Sequence, residues 1–184
     1  MTAMMNIGHK PMAHWGLQFL KVSSNAKILD CGCGGGANIK KLLKKYPHSI
    51  VNGIDYSIVS VEKSKKVNNK AVAEGRCTVL KGNVMNMPYS AACFDAVTAF
   101  ETIYFWQDLP RCFCEIYRVL KPSGTFLICN EVSGDEAKDE KWTKIIEGMT
   151  IYKDTELKKY LGQATFRNIQ IRKKNNWLCV TAEK

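Results

Sequence analysis

The sequence lacks any long apolar run, and this absence excludes one class of protein. No stretch approaches the roughly 20 apolar residues that a membrane-spanning helix needs, so nothing in the chain is expected to cross a bilayer. Near the N-terminus, His9, Lys10, Pro11 and His14 interrupt any apolar block of a signal peptide. We therefore predict a cytoplasmic location and no membrane partner.

Paired cysteine motifs are also missing. Eight cysteines are present, but no C-x-x-C occurs, and the closest pairs, Cys31/Cys33 and Cys112/Cys114, are spaced C-x-C. A structural zinc site usually needs two well-spaced ligand pairs, so we predict no metal site. Most of the cysteines lie in or beside apolar runs, where a thiol behaves as a small buried hydrophobe. Reduced core cysteines are the better interpretation.

A base-stacking platform is absent, although the formal net charge is +10. The lysines are spread along the chain, and most fall on the polar side of helical patterns, as on a solvated face. Only residues 172–174 form a tight basic triplet, which we place in a hairpin turn before Asn175 and Asn176. Basic and aromatic residues do not interleave. A nucleic-acid partner is therefore disfavoured and stays an alternative because of the charge.

From residue 25 onward, strand-like and helical segments alternate. Five apolar runs predict strands over residues 27–31, 49–54, 77–80, 94–100 and 125–129. Apolar residues at i, i+3, i+4 and i+7 predict helices in between, over 37–46, after Ser57 as N-cap, and over 109–120. Repeated strand–helix–strand units indicate an α/β protein with a parallel sheet covered by helices on both faces.

The end of the chain departs from this alternation. Residues 166–171 and 177–182 are strand-like, and only a short polar turn separates them. Two strands so close in sequence can only form a hairpin, so one of them must run antiparallel to its neighbours. We therefore predict seven strands, mostly parallel, with a C-terminal antiparallel hairpin.

The stretch ILDCGCGGGANIKKLL, residues 28–43, places a glycine loop between a strand and a helix. Gly32, Gly34 and Ala37 satisfy the dinucleotide pattern G-x-G-x-x-G/A, with Asp55 downstream for a ribose. Asp30 argues against a dinucleotide, because a carboxylate beside a pyrophosphate repels it. S-adenosylmethionine has an ammonium group, a sulfonium and no phosphate. The charge favours this cofactor over NAD.

Five segments in this order resemble the class I S-adenosylmethionine-dependent methyltransferases of the small-molecule type (methyltransferase domain 11). They are LDCGCGGG, GIDYS, KGNVMNMPY, FDAVTAFETIYFW and RVLKPSGTFLI, spanning residues 29–128. The terminal hairpin matches that fold's usual ending. The resemblance implies a Rossmann-like fold, with S-adenosyl-L-methionine as cofactor and S-adenosyl-L-homocysteine as product.

The resemblance also implies roles for the motif residues. Gly32, Gly34 and Gly36 would leave room for the methionine part of the cofactor, and Asp30 would act on its amino group, directly or through water. Asp55 would accept hydrogen bonds from both ribose hydroxyls, which a carboxylate with two oxygens can do at once.

Three further residues would border the adenine and the sulfonium. Tyr56 would lie beside the adenine, and Phe100 would border the sulfonium. Asn83 stands where the family usually has an aspartate that accepts from the adenine amino group, so we expect a weaker contact. The predicted cofactor-binding set is Asp30, Gly32, Cys33, Gly34, Gly36, Asn38, Asp55, Tyr56, Ser57, Gly82, Asn83, Val84, Phe100 and Glu101.

The acceptor side has fewer candidates. Glu101 could orient an acceptor, remove a proton or make only a structural hydrogen bond, and Tyr104 could donate a hydrogen bond. Phe105 and Trp106 could line the pocket or pack in the core. The segment lacks the N-P-P-Y motif of amino-methylating relatives, which argues against a base or amide nitrogen as acceptor. The predicted substrate contacts are His14, Trp15, Tyr104, Trp142 and Tyr152.

We expect a single domain with four parts: an N-terminal cap (1–24), a cofactor-binding core (25–130), a lid (131–153) and a C-terminal helix with the hairpin (154–184). Cap and lid are short, so a small molecule accepting the methyl group at oxygen, sulfur or carbon is the leading hypothesis. The alternatives are an RNA (tRNA) methyltransferase and a non-catalytic cofactor-binding protein. A monomer and a homodimer are both compatible with the sequence.

Overall fold

Strands and helices alternate along the chain as the hydrophobic periodicity predicts. The computed structural model describes residues 10–134 and 139–184. The helices are α1 (Lys10–Leu17), α2 (Ala37–Lys45), α3 (Ile58–Val67), α4 (Asn69–Ala73), α5 (Leu109–Val119), α6 (Glu140–Ile145) and α7 (Asp154–Gln163). The strands are β1 (Lys27–Cys31), β2 (Ile50–Asp55), β3 (Cys77–Lys81), β4 (Phe94–Phe100), β5 (Leu120–Asn130), β6 (Arg167–Lys174) and β7 (Trp177–Glu183). A 3₁₀ helix, Ile103–Phe105, follows β4.

The seven strands form one sheet in the order β3-β2-β1-β4-β5-β7-β6. The first five pair in parallel, whereas β7 runs antiparallel to both β5 and β6. The predicted mostly parallel sheet with a terminal hairpin is thereby confirmed. Strand order reverses between β1 and β4, and open α/β sheets bind ligands beyond the carboxyl ends of the strands at such a switch point.

Apolar side chains from alternate strand positions make two cores, one on each face of the sheet. The first face is covered by α5 and α7, through residues such as Phe113 and Leu157. The second face is covered by α1 to α4, through residues such as Met12, Ile39 and Val61. Helices therefore lie on both faces, as predicted. All eight cysteines are free, and most are buried in these cores.

Two helix starts show how local chemistry sets the boundaries. Ser57 caps α3 as predicted, because its hydroxyl accepts from the backbone N–H of Ser60 at 3.4 Å. Asp108 caps α5 by accepting from the N–H of Arg111 at 3.0 Å, and Pro110 stands in the first turn, where its missing N–H costs no hydrogen bond.

Two local features differ from the prediction. β5 begins at Leu120 and not at residue 125, because Leu120 already pairs with Phe94; residues 121–124 have no partner on β4, and the ladder resumes where Thr125 pairs with Ala96. The basic triplet 172–174 is not in the hairpin turn. It belongs to β6, where it pairs with the first residues of β7, and the turn consists of Asn175 and Asn176 only.

The predicted cap and lid lie only partly among the described residues, since 1–9 and 135–138 fall outside them. Tyr104 contacts both ends of the lid: its hydroxyl accepts from the N–H of Val132 at 3.1 Å, and its carbonyl accepts from the N–H of Thr150 at 2.8 Å. None of the helices in the described part of the chain combines the length and apolar character that a bilayer-spanning helix needs.

Candidate active site

A cavity of ≈570 Å³ opens at the carboxyl edge of the sheet, beside the switch point between β1 and β4. Its volume is in the range of small-molecule and cofactor sites. Half of its lining belongs to the predicted cofactor set, namely Gly32, Asp55, Tyr56, Ser57, Gly82, Asn83 and Val84. The other lining residues are Ile54, Met85, Thr102, Phe105, Trp106, Gln107 and Cys112.

Asp55, at the end of β2, ties the glycine loop to the start of α3. One carboxylate oxygen accepts from the N–H of Gly34 at 2.8 Å, and the other accepts from the N–H of Ser57 at 2.9 Å. These two bonds fix the carboxylate at the cavity wall. Each oxygen keeps a further lone pair, so the group can also accept hydrogen bonds from a ligand.

Gly32 is the residue on which the loop geometry depends. Its φ is +68°, which side-chain-bearing residues rarely adopt, and a Cβ at this position would lie 1.9 Å from Thr102 Oγ1. The loop after β1 therefore packs directly on the segment that leaves β4. This contact brings Gly32 and Thr102 together on one wall of the cavity.

Asp30 lies below the cavity and does not line it. Its side chain is buried, with Oδ1 accepting from the Thr98 hydroxyl at 2.7 Å, whereas Oδ2 has no hydrogen-bond partner among the described residues. Burial raises the pKa of Asp30 from 3.8 to about 7. Asp30 therefore carries its full negative charge, and would fully repel a pyrophosphate, only above neutral pH.

Five more predicted cofactor residues also lie off the cavity, as listed here: Cys33, Gly34, Gly36, Asn38 and Phe100. Gly36 packs on α3 instead, where a Cβ would lie 2.4 Å from Ser64 Oγ. Phe100 is buried in the second core beneath α1. The side chain of Asn38 accepts from Lys41 on the same helix at 3.0 Å. Cys33 and Phe100 belong to the second core and Gly36 packs on a helix, so these three are used in packing, whereas Gly34 donates its N–H to Asp55.

Glu101 and Tyr104 join the exits of β4 and β5 to each other. The Glu101 carboxylate accepts from the backbone N–H of Glu131 and lies 3.3 Å from the Tyr104 hydroxyl, which also contacts the Val132 backbone. Glu101 has a left-handed φ of 56°. Burial raises its pKa from 4.5 to about 8. Neither residue lines the cavity, so their catalytic role stays a prediction.

The predicted substrate contacts are not brought to the cavity either. His14 is exposed on α1, and Trp15 packs edge-on against Phe19 and close to Trp177. Two others lie in or near the lid, where Trp142 is partly exposed beside Lys141 and Tyr152 packs against Tyr160. Trp15 and Tyr152 are thus used for packing against other parts of the chain, whereas Trp142 is exposed.

Several lining residues follow β4 directly. Phe105 and Trp106, which the sequence left undecided between pocket and core, form part of the wall. Thr102 and Gln107 were not predicted. The left-handed turn at Glu101 sends Thr102 to the cavity, and nothing in the sequence marks a left-handed glutamate. Cys112 reaches the cavity from α5, a helix to which we assigned no site residue.

Comparison with known proteins adds an independent finding. The sequence model of the methyltransferase domain family matches residues 29–128. The chain is 36% identical over 109 residues to cycloartenol-C-24-methyltransferase 1 of Oryza sativa subsp. japonica, covering 59% of this chain and 31% of that protein. The chain thus spans about a third of the length of this curated relative.

Two solved structures share the fold over nearly the whole chain. A Haloferax volcanii chain solved in complex with the Trm112 methyltransferase activator superposes with a TM-score of 0.87 at 19% identity, covering 99% of this chain and 92% of that one. Haemonchus contortus phosphoethanolamine N-methyltransferase 2, in complex with S-adenosyl-L-methionine, gives a TM-score of 0.81 at 16% identity, with coverages of 95% and 52%. At these identities the likeness supports the Rossmann-like fold alone.

Proposed function

This chain belongs to the methyltransferase domain family, and from that premise we propose that it transfers a methyl group from S-adenosylmethionine to a small-molecule acceptor. The observation that carries the proposal is the cavity at the carboxyl edge, which gathers Gly32, Asp55 and Asn83 from the ends of three different strands. These are the positions that the family motifs assign to the cofactor. Relatives that methylate sterols support a small acceptor.

The composition of the cavity wall supports this cofactor over a dinucleotide. Among the described residues that line the cavity, Asp55 is the only charged one, and no lysine, arginine or histidine is present. A diphosphate would find no counter-ion there, whereas a ligand with an ammonium and a sulfonium meets a favourable charge. Asp30 contributes less to this preference, because burial raises the pKa of its carboxyl to about 7.

Each part of the cofactor has a suitable neighbour in the wall. Asp55 would hold the ribose hydroxyls, Asn83 and Tyr56 would contact the adenine, and the backbone at Gly32 would approach the methionine part. Gly82 supports the fit, because a Cβ there would lie 2.7 Å from Ile54 Cδ1 and push into the wall. When bound, the cofactor supplies the electrophilic methyl group, so the protein mainly aligns the acceptor and excludes water.

The acceptor wall is mostly apolar, with Thr102 and Gln107 as polar members, and its described lining residues include no carboxylate, imidazole or amine that could act as a base. Phe105, Trp106 and Met85 line this side of the cavity, and the Glu101 and Tyr104 groups turn away toward the exit of β5. We therefore propose that Glu101 and Tyr104 are positioning residues, which hold the segment after β4 in place. An alkene that reacts at carbon needs no proton removed before attack, which fits this wall; the carbocation formed by methyl transfer then loses a proton to a base outside this wall.

The experiment that tests the proposal follows a labelled methyl group. The protein is incubated with S-adenosylmethionine labelled in the methyl group in four parallel reactions. Each reaction contains one source of acceptor: a sterol panel including cycloartenol, a lipid extract, a polar metabolite extract or bulk tRNA. We expect label in a small molecule. Label in tRNA alone would replace the proposal with the RNA alternative, and single-turnover incubations without transfer to any fraction would favour a non-catalytic binding protein.

A further inference from the structure

The fold gathers lysines that appear scattered in the sequence. The helices α2, α3 and α4, which cover the second face of the sheet, carry eight lysines and one glutamate, a net seven of the chain's ten positive charges. Helices α5 and α7 on the first face carry four basic and three acidic residues. The net charge therefore belongs mainly to one side of the molecule.

Apolar side chains are exposed within this cationic side. A shallow groove of ≈410 Å³ at the start of α3 is lined by Ile58, Val59, Glu62, Lys63 and Lys66. Ile58 is 51% exposed and Val59 is 73% exposed, although both are aliphatic and β-branched. Because positions i, i+4 and i+7 share one helix face, Val59, Lys63 and Lys66 point the same way. We call Ile58, Val59, Lys63 and Lys66 the α3 patch.

The charges of the α3 patch are available to a partner. Glu62 pairs with Lys65 at 3.1 Å. Within residues 10–134 and 139–184, neither Lys63 nor Lys66 has a carboxylate within ion-pair distance. Two unpaired ammonium groups thus flank two exposed aliphatic side chains. A partner that matches the patch must offer negative charge and an apolar layer side by side.

We propose that the α3 patch docks the protein on an anionic phospholipid surface. Lysine stems lie along apolar material while the ammonium groups reach anionic headgroups, and aliphatic side chains enter the acyl boundary. An RNA partner fits less well, because helices α2 to α4 contain no arginine for bidentate phosphate contacts and no aromatic residue on which bases could stack. This is a peripheral contact without a membrane span, and it departs from the sequence-based expectation that the protein has no membrane partner.

Docking here would bring the cavity to the lipid. Tyr56 and Ser57 line the cavity and immediately precede Ile58, so the patch and the cavity mouth are neighbours. The consequence, which rests on the proposed function, is that the acceptor is a lipid-soluble molecule taken from the membrane. The docking itself does not depend on methyl transfer.

Vesicle flotation tests the docking directly. The protein is mixed with phosphatidylcholine vesicles with or without phosphatidylglycerol, at low and at high salt. We expect the bound fraction to be about tenfold higher with phosphatidylglycerol at low salt and to fall as salt screens the lysines. Equal binding to both kinds of vesicle, or binding to neither, would overturn the proposal.

Matched variants assign the contact to the patch. Ile58→Ser combined with Val59→Ser should lower vesicle binding about tenfold, since two aliphatic side chains leave the interface. The control Ile145→Ser removes another exposed aliphatic side chain, 69% exposed on α6, and should bind as wild type. Unchanged binding of S-adenosylhomocysteine by all three proteins shows that they are folded.

A second pair of variants separates the patch from net charge. Lys63→Glu with Lys66→Glu should abolish vesicle binding, whereas Lys158→Glu with Lys159→Glu on α7 should reduce it less than twofold. Equal losses in both pairs would refute a local patch. If the first pair instead weakens tRNA binding while no variant binds vesicles, the partner is RNA. Vesicle binding without any methyl transfer would refute the proposed function alone.

Discussion

The two halves of the sheet's carboxyl edge use their polar groups in different ways. At the ends of β1, β2 and β3, Asp55 and Asn83 line an open cavity. At the ends of β4 and β5, the half-buried Glu101 and the buried Tyr104 are bonded to the backbone of residues 131 and 132. We propose that the first half contacts a ligand and that the second half holds the cavity wall in place. The following predictions test this division.

The largest effect is expected at Gly32, in the open half. Gly32→Ala should destabilise the protein by about 3 kcal/mol, because a left-handed φ and overlap with Thr102 act together. Gly34→Ala is the matched control, since Gly34 has a φ of +51° with nothing within 4 Å of a Cβ. Its cost should be about 1 kcal/mol. Urea denaturation of both variants measures the difference, and equal costs would contradict the account.

The second largest effect is expected for Asp55→Ala. Losing a charged acceptor of ligand hydrogen bonds should weaken S-adenosylhomocysteine binding about 30-fold, equivalent to about 2 kcal/mol. Asp55→Asn keeps the shape and should lie between wild type and alanine, because the amide retains one acceptor oxygen. Isothermal titration calorimetry gives the affinities. An unchanged affinity in Asp55→Ala would remove the ribose assignment.

In the second half, at the ends of β4 and β5, Tyr104→Phe should lower the stability of the fold without changing the affinity for the cofactor. The hydroxyl loses its bonds to Val132 and Glu101, leaving buried groups unsatisfied, at a cost of about 2 kcal/mol. Binding of S-adenosylhomocysteine should stay within about twofold of wild type, since the hydroxyl does not line the cavity. Tyr56→Phe, at an exposed tyrosine, should leave stability unchanged. If Tyr104→Phe lowers the cofactor affinity, the two halves do not act separately, and the proposed division is wrong.

Glu101 predicts a pH dependence of stability. Burial raises its pKa from 4.5 to about 8, so the folded protein holds this proton more tightly than the unfolded chain does. The contribution of Glu101 to the free energy of unfolding is therefore fully present below pH 4.5 and is lost as the pH rises toward about 8. Glu101→Gln should flatten that slope. Asp30 contributes in the same direction, so the difference between wild type and variant isolates Glu101. A variant with an unchanged slope would show that Glu101 is not the titrating group.

The smallest effect is expected at Asn83. Asn83→Asp should tighten S-adenosylhomocysteine binding about threefold, because a charged acceptor makes the stronger hydrogen bond to the adenine amino group. The bond from the Met85 N–H to the side-chain oxygen, 2.9 Å in the structure, is compatible with either residue. The affinities of wild type and Asn83→Asp are measured for S-adenosylhomocysteine and for an analogue without the adenine amino group. We expect a gain for S-adenosylhomocysteine only. A gain for both ligands would show that residue 83 does not contact the amino group.

The difference between the halves also explains what the sequence could predict. The mostly parallel sheet with its terminal hairpin, the helix coverage and the wall formed by Asp55, Asn83 and Gly82 follow from periodicity and from motifs at strand ends. These features are local, so neighbouring residues in the chain are enough to specify them. Thr102 was missed because its place depends on a left-handed turn at Glu101, which only the surrounding packing can maintain.

Burial was the second property that the sequence could not supply. Asp30 has the motif position expected for a ligand contact, yet Thr98 on the neighbouring strand β4 covers one of its oxygens. Gly36 reads as part of the glycine loop, but α3 packs against it. In both cases the partner lies more than 25 residues away in sequence, so motif spacing carries no information about it. The concentration of lysines on one side of the molecule was missed for the same reason, because α2, α3 and α4 come together only in the fold.

The measurement that tests the central claim most directly is a calorimetric titration of the protein with S-adenosylhomocysteine and, separately, with NAD. An open half shaped for an S-adenosyl ligand, with no basic residue among its described lining, predicts saturable one-to-one binding of S-adenosylhomocysteine and no heat of binding with NAD. Binding of NAD, or the absence of any binding by S-adenosylhomocysteine, would contradict the assignment of this cavity.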